Sequence, residues 1–211
     1  ESGLTAGFMW QTLKRSSKVC QIETTVTSFI PYDNNVEILH VTVHNLSEEA
    51  RRITAYGAIP IYCRSADNIR DHRNVTSMLH RITVEKDGIF VRPTMSFDEK
   101  GHRVNHNIYY ASGYTGTGET PVSFYPSVED FIGEGGTYTH PRAVYENYPG
   151  VSAPAKSAGK EAMGAFRFEE TLLAPNGTAD YILMLGVEDS EEPIHDILRQ
   201  YNTKQKVESA L

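Results

Sequence analysis

Cysteine, tryptophan, positive charge and long apolar runs are all scarce in this 211-residue chain, and each scarcity excludes something. Only Cys20 and Cys63 occur, with no metal-type spacing, so two buried reduced thiols are expected rather than a disulfide framework. No stretch of about 18 apolar residues is present, which leaves no candidate membrane-spanning helix. Lys and Arg number 20 against 27 Asp and Glu, a net charge of −7, and this argues against nucleic acid or an anionic membrane as a partner. There is no initiator Met and no charged-then-apolar leader. Glu1 therefore reads as a processed or cut end, and a cytoplasmic location is expected. Catalytic signatures are missing too. G-x-S-x-G, H-E-x-x-H and nucleophilic-Cys motifs are absent, and the Gly/Thr-rich Ser112–Pro121 lacks the Lys-Ser/Thr ending of a phosphate-binding loop.

What is present is β patterning. Val19 to Pro31 is rich in Thr and Val and places Cys20, Ile22, Val26 and Ile30 on one face. Asp33-Asn34-Asn35 is a turn cluster. Val36 to Asn45 follows as a strand, with Leu39, Val41 and Val43 on one face and His40, Thr42 and His44 on the other. No third ligand accompanies the two histidines, so they are expected to face solvent rather than a metal. Arg51 to Cys63 reads as one further strand, with Gly57 and Pro60 marking a bulge or sheet edge. Arg64 to Arg81 is the most polar stretch. Its Arg64, Arg70, Arg73 and Arg81 suit a phosphate or sugar surface, or a solvated connection laced with ion pairs. Lys86-Asp87-Gly88 predicts a hairpin turn. Arg103–Tyr110 is expected as the next strand, Ser112–Pro121 as a loop, and residues 151–162 as a flexible small-residue segment. A second hairpin is expected across Pro175-Asn176-Gly177. Asp189-Ser190 can cap a helix whose Ile194, Ile197, Leu198 and Tyr201 form an apolar stripe.

Residues 121–148 differ from the rest. No Lys or Arg falls between Val104 and Pro141, while Glu119, Glu129, Asp130 and Glu134 do. Nine of the 21 aromatic residues lie between Tyr109 and Tyr148, and Gly133, Gly135 and Gly136 break regular structure there. Such a loop suits a neutral polyhydroxyl ligand, because carboxylates accept from hydroxyls and flat rings pack on the apolar faces of sugars. It equally suits an ordered loop folded on its own aromatic residues. Residues 126–140 are expected to be mostly coil, pinned by Phe131. Glu129 and Asp130 are adjacent, so an extended chain would point them to opposite faces, the wrong geometry for a glycosidase pair.

Three stretches carry a family resemblance. Phe29 to Ile53 (FIPYDNNVEILHVTVHNLSEEARRI), SVEDFIGEGGTYTHPRAV, and Leu172 to Glu192 resemble, in order, segments of the cellobiose-phosphorylase-type glycoside phosphorylases. DHRNVTSMLHRI and FIGEGG look closest to the branch acting on β-1,2-linked glucose oligomers. The resemblance implies an all-β antiparallel supersandwich, galactose-mutarotase-like, with a C-terminal helix. Residues 1–188 would be the sandwich, lacking its first strands, and 189–211 the start of a helical linker. It implies a parent enzyme, usually a homodimer, that cleaves β-glucosides with inorganic phosphate as co-substrate and no other cofactor. The catalytic Asp and phosphate site would lie in an (α/α)6 barrel that this chain lacks. Asp130, Phe131 and Gly133 map onto the family loop that approaches the sugar, with Glu129 and Glu134 beside them, while Glu134 and Gly135-Gly136 depart from its commoner pattern. The expected partners are an oligosaccharide, the barrel domain and a second copy. A free-standing carbohydrate-binding module and a sandwich-fold enzyme of the aldose-epimerase sort are the alternatives.

Overall fold

The computed structural model describes residues 2–63, 75–98 and 101–211. Its centre is a strand that is apolar on both sides. Along β16 (Thr178–Glu188), Ile182 and Met184 point one way, and Tyr181, Leu183 and Leu185 point the other. Because strand side chains alternate, this near-continuous apolar run requires cover on both faces. β16 pairs antiparallel with β4 (Val36–Asn45) on one side and β11 (Ile108–Thr115) on the other. The sheet grows outward through β3 (Ile22–Phe29), β2 (Trp10–Ser17) and β1 (Ser2–Gly7) at one end. At the other end follow β8 (Gly88–Pro93), β7 (His80–Glu85) and β13 (Ala155–Ala158), making nine antiparallel strands.

A three-stranded sheet, ordered β12 (Ser123–Ser127), β14 (Ala162–Arg167) and β6 (Tyr56–Pro60), covers one face. Ile82, Ile89, Val91, Phe124, Phe166 and Tyr181 fill the space between the two sheets. The opposite face is covered by α3 (Glu191–Tyr201) and α4 (Lys204–Glu208). Ile194, Ile197, Leu198 and Tyr201 pack there with Ile38, Phe90, Tyr110 and Met184. Each such side chain contributes about 1.5–3 kcal/mol when fully buried, so the stripe is ample to hold the helix on the sheet. The remaining pairs are small: β5 (Arg51–Ile53) with β15 (Thr171–Leu173), and β9 (Met95–Asp98) with β10 (Gly101–Val104). The antiparallel sandwich with a C-terminal helix expected from the sequence is the observed fold.

Several local expectations change. Arg51–Cys63 is two strands in different sheets, separated at Thr54 and Ala55, although Pro60 does sit at the end of an edge strand. The strand expected at Arg103–Tyr110 is broken after Val104, and β11 runs on through Ser112–Thr115, residues expected in a loop. Pro175-Asn176-Gly177 does not close a hairpin, because β15 pairs with β5 while β16 joins the large sheet. The small-residue segment 151–162 contains edge strand β13 and the first residue of β14. Ser190 takes the N-cap position but its hydroxyl meets Asp189 rather than the helix backbone. Cys63 is buried, and burial pushes its thiol pKa well up, whereas Cys20 lies exposed in a turn. Of the polar stretch, residues 64–74, with Arg64, Arg70 and Arg73, lie outside the described residues.

His40 is not solvent-facing. Its Nε2–H donates to Asp180 Oδ1 at 2.9 Å, Thr42 Oγ1 donates to the same oxygen at 2.6 Å, and Lys204 Nζ reaches Asp180 Oδ2 at 2.9 Å. His40, Thr42 and Asp180 share the helix-side face of the sheet, so the face that looks polar in sequence becomes the seat of α4. Burial alone would raise the Asp180 pKa, but the three donors outweigh it and hold the carboxyl well below its usual range.

Candidate functional site: a capped loop beside a carboxylate cleft

The stretch singled out in the sequence leaves β12 at the edge of the small sheet. Ser127 ends the strand and accepts at Oγ from the Asp130 backbone N–H (3.1 Å), which caps α1 (Val128–Ile132). The excursion thus starts as a helix and is coil, turn or isolated bridge from residue 133 to residue 140. α1 stops at Gly133, at φ 82°, whose N–H donates to Glu129 O at 2.9 Å. The chain then doubles back so tightly that a Cβ on Gly136 would lie 1.9 Å from Ile132 O. Only glycine fits there. A bridge between Thr137 and His140 leads to the one-turn helix α2 (Arg142–Tyr145).

Phe131 pins this excursion, as expected. It is buried with Tyr125, Val128, Ala143 and Met163, and its ring meets that of Tyr125 edge-on at 5.8 Å. The Tyr125 hydroxyl donates to Tyr148 O at 2.7 Å and ties the far end of the loop to the same cluster. Phe131 therefore faces the apolar cluster and acts as an anchor.

The other four residues singled out come together on the outside. Glu129, Gly133, Glu134 and Gly135 line an open cleft of about 450 Å³, completed by Lys160 and Glu161 from the β13–β14 turn. Asp130, half-buried, does not line the cleft and is linked to it through Lys160. The Lys160 ammonium lies 3.5 Å from Glu129 and 3.8 Å from Asp130, so both carboxylates meet one cation instead of diverging. These groups are substantially exposed, and the pairing orients more than it stabilises. Lys160 is fixed from behind, because the buried His80 ring donates Nδ1–H to its carbonyl at 3.2 Å. Burial lowers the His80 pKa and keeps the ring neutral.

Sequence reasoning missed Lys160, which lies in the segment expected to be flexible, and it missed what Arg142 does. The Arg142 stem packs over Gly133, its Nε donates to Glu146 at 2.7 Å, and its guanidinium sits 3.9 Å above the Tyr148 ring. His140 stacks on Tyr145 with centroids 3.5 Å apart. Aromatic density was the available signal; the pairings needed the turn geometry. Among the described residues, no group of three or more His, Cys, Asp or Glu could hold a metal. No helix there is long and apolar enough to cross a membrane.

The geometry defines an antiparallel supersandwich carrying a polar, partly aromatic loop at one end. Residues 7–204 match the model of the glycosyl hydrolase 94 supersandwich domain, so the chain belongs to that family. No curated protein matches. Among solved structures, similarity is found to a polysaccharide lyase at 9% identity and TM-score 0.46, covering 93% of this chain and 24% of that one. A protein from the human microbiome assigned as a kojibiose phosphorylase matches at 8% identity and TM-score 0.40, covering 95% and 20%. A protein of Escherichia coli K12 assigned as an aldose 1-epimerase matches at 9% identity and TM-score 0.43, covering 89% and 68%. The chain thus spans about a quarter of the lyase and a fifth of the phosphorylase.

Proposed function

We propose that this chain is the non-catalytic N-terminal supersandwich of an inverting glycoside phosphorylase acting on β-linked glucose oligomers. The observation that carries the reading is the family match over residues 7–204. In this reading the Glu129–Asp130–Lys160 cleft faces the sugar entrance of an (α/α)6 barrel elsewhere in the parent protein. That barrel supplies the general acid and the site for inorganic phosphate. Glu129, Asp130 and Glu134 accept from sugar hydroxyls, Gly133 lets the backbone approach, and Phe131 holds the loop in place. The β-1,2-linked branch is the substrate suggested by the resemblance of FIGEGG. Phe8, Val19 and Tyr32 are at least 90% exposed, a cost that contact with the barrel or with a second subunit of a cytoplasmic homodimer would remove.

Two measurements test this. The 211-residue chain alone, given β-glucan oligomers and inorganic phosphate, is expected to release no glucose 1-phosphate; release by material free of the parent enzyme overturns the non-catalytic role. In the parent enzyme, Asp130→Ala is expected to raise KM for the oligosaccharide about tenfold, roughly 1.4 kcal/mol, with little loss of Tm. Unchanged kinetics would remove the loop from the site.

A further inference from the structure

Arg142 packs its stem against Gly133, one of the residues lining the cleft, and on the far side of Arg142 the chain is aromatic. Tyr145 is 63% and Tyr148 39% exposed, and Tyr138 is also open to solvent. Large rings on an exposed loop usually turn one face inward. These are instead held in fixed orientations by polar stacking partners. His140 covers one face of Tyr145, and the Arg142 guanidinium covers one face of Tyr148. Arg142 is itself fixed by Glu146 and by its packing against Gly133, the residue that ends α1 beside the cleft. The high exposure of Tyr145 means that the face away from His140 meets water.

We infer that Tyr145 and Tyr148, oriented by His140 and Arg142, form a stacking platform for sugar rings of a neutral oligosaccharide that extends out of the carboxylate cleft. The inference rests on the carbohydrate reading above and adds a second binding surface to it. Four features select this ligand class. A sugar ring offers C–H groups to the negative face of an aromatic ring and hydroxyls to neighbouring polar groups. Rings already held by a partner lose little freedom on binding, so their contact area converts to affinity efficiently. Thr137 and Thr139, which precede the stacked His140 in the chain, and Glu146, which follows Tyr145, supply exposed hydroxyls and a carboxylate of the kind that pair with sugar hydroxyls. No Lys or Arg occurs from Asn105 to Pro141, and Arg142 is already engaged with Glu146, so a polyanion finds no free cation within this stretch.

The test is an NMR titration of the 211-residue chain with cellotetraose and with the β-1,2-linked glucose tetramer, following tyrosine ring resonances. Shifts are expected at Tyr145 and Tyr148 for at least one of the two oligomers. Tyr145→Ala with Tyr148→Ala should weaken binding about tenfold or more, whereas Tyr145→Phe, which keeps the ring face, should bind within about threefold of the parent chain. Both positions are exposed, so an unchanged backbone spectrum will show that the variants fold. Shifts mapping elsewhere, unaffected by the alanine pair, overturn the platform and leave the phosphorylase reading standing. No shift anywhere at millimolar oligomer overturns the platform too, while glucose 1-phosphate release by the parent enzyme independently reports on the phosphorylase reading. Weakening in Tyr145→Phe equal to that in the alanine variant overturns ring stacking as the cause.

Discussion

Replacing Asp180 by Asn tests how the C-terminal helices are fastened to the sheet. The carboxylate takes three donors, from Thr42 at 2.6 Å and from His40 and Lys204 at 2.9 Å. Hydrogen bonds to a charged group contribute about 1.5–3 kcal/mol each, but the Lys204 side chain is 39% exposed and its share is discounted for solvent screening. The amide keeps one acceptor oxygen and turns its NH2 towards a donor, so the net loss is expected at about 3 kcal/mol. For a chain of this length that lowers Tm by roughly 6–12 °C. The pH dependence separates this cause from general damage. The folded-state pKa of Asp180 is depressed, so its contribution is fully present above the unfolded value of about 3.9 and is lost as pH falls towards the folded value. The stability gap between the two proteins, from urea unfolding, should be constant from about pH 7 to about pH 5. Below about pH 4 it should shrink by roughly 1.4 kcal/mol per unit, since groups common to both cancel. A gap under about 1 kcal/mol at neutral pH, or one that does not narrow in acid, would refute the reasoning.

Gly136→Ala places a methyl 1.9 Å from Ile132 O and is expected to unfold the tight return of the loop while sparing the sandwich. Proteolysis confined to residues 133–140, with the main unfolding transition nearly unchanged, is the expected outcome; wild-type resistance would show that the turn relaxes. Phe131→Ala should cost about 3–5 kcal/mol if the aromatic cluster is as closely packed as its edge-on ring contact indicates, measured by urea unfolding. One thiol, Cys20, should react with a thiol reagent in the native chain and two after denaturation, because Cys63 is buried and its thiolate is suppressed. Two fast-reacting native thiols would contradict that burial.

Part of the candidate site is legible in the residues themselves. Phe131 and Ile132 are apolar in an otherwise polar, glycine-rich loop, and large apolar side chains in such a setting have burial to gain, so an anchoring role follows from the sequence. The convergence of Glu129 and Asp130 on Lys160 does not. Their adjacency suggests opposite faces only in an extended chain, and the Ser127 cap, which decides for helix, competes with the nearby glycines in a way that local propensity leaves balanced. Lys160 could not be placed because β13 is short and polar, and it exists as a strand only because β7 offers an edge.

The same division runs through the fold. By itself the sequence determined the antiparallel β class, the length of β4 to the residue, the turn at Lys86-Asp87-Gly88 and the buried stripe of α3, since periodicity and turn chemistry are local properties. Tertiary structure alone decided which strands became neighbours. β15 leaves β16 for β5, and β4 and β11 flank β16 from distant parts of the chain, because hydrogen-bonded partners are chosen by which apolar faces can be covered together. It also decided that the polar face of β4 points inward. His40 and Thr42 look solvent-exposed until Asp180 from the neighbouring strand and Lys204 from α4 supply their partners, and a buried polar group is stable only when its partners arrive from elsewhere in the chain.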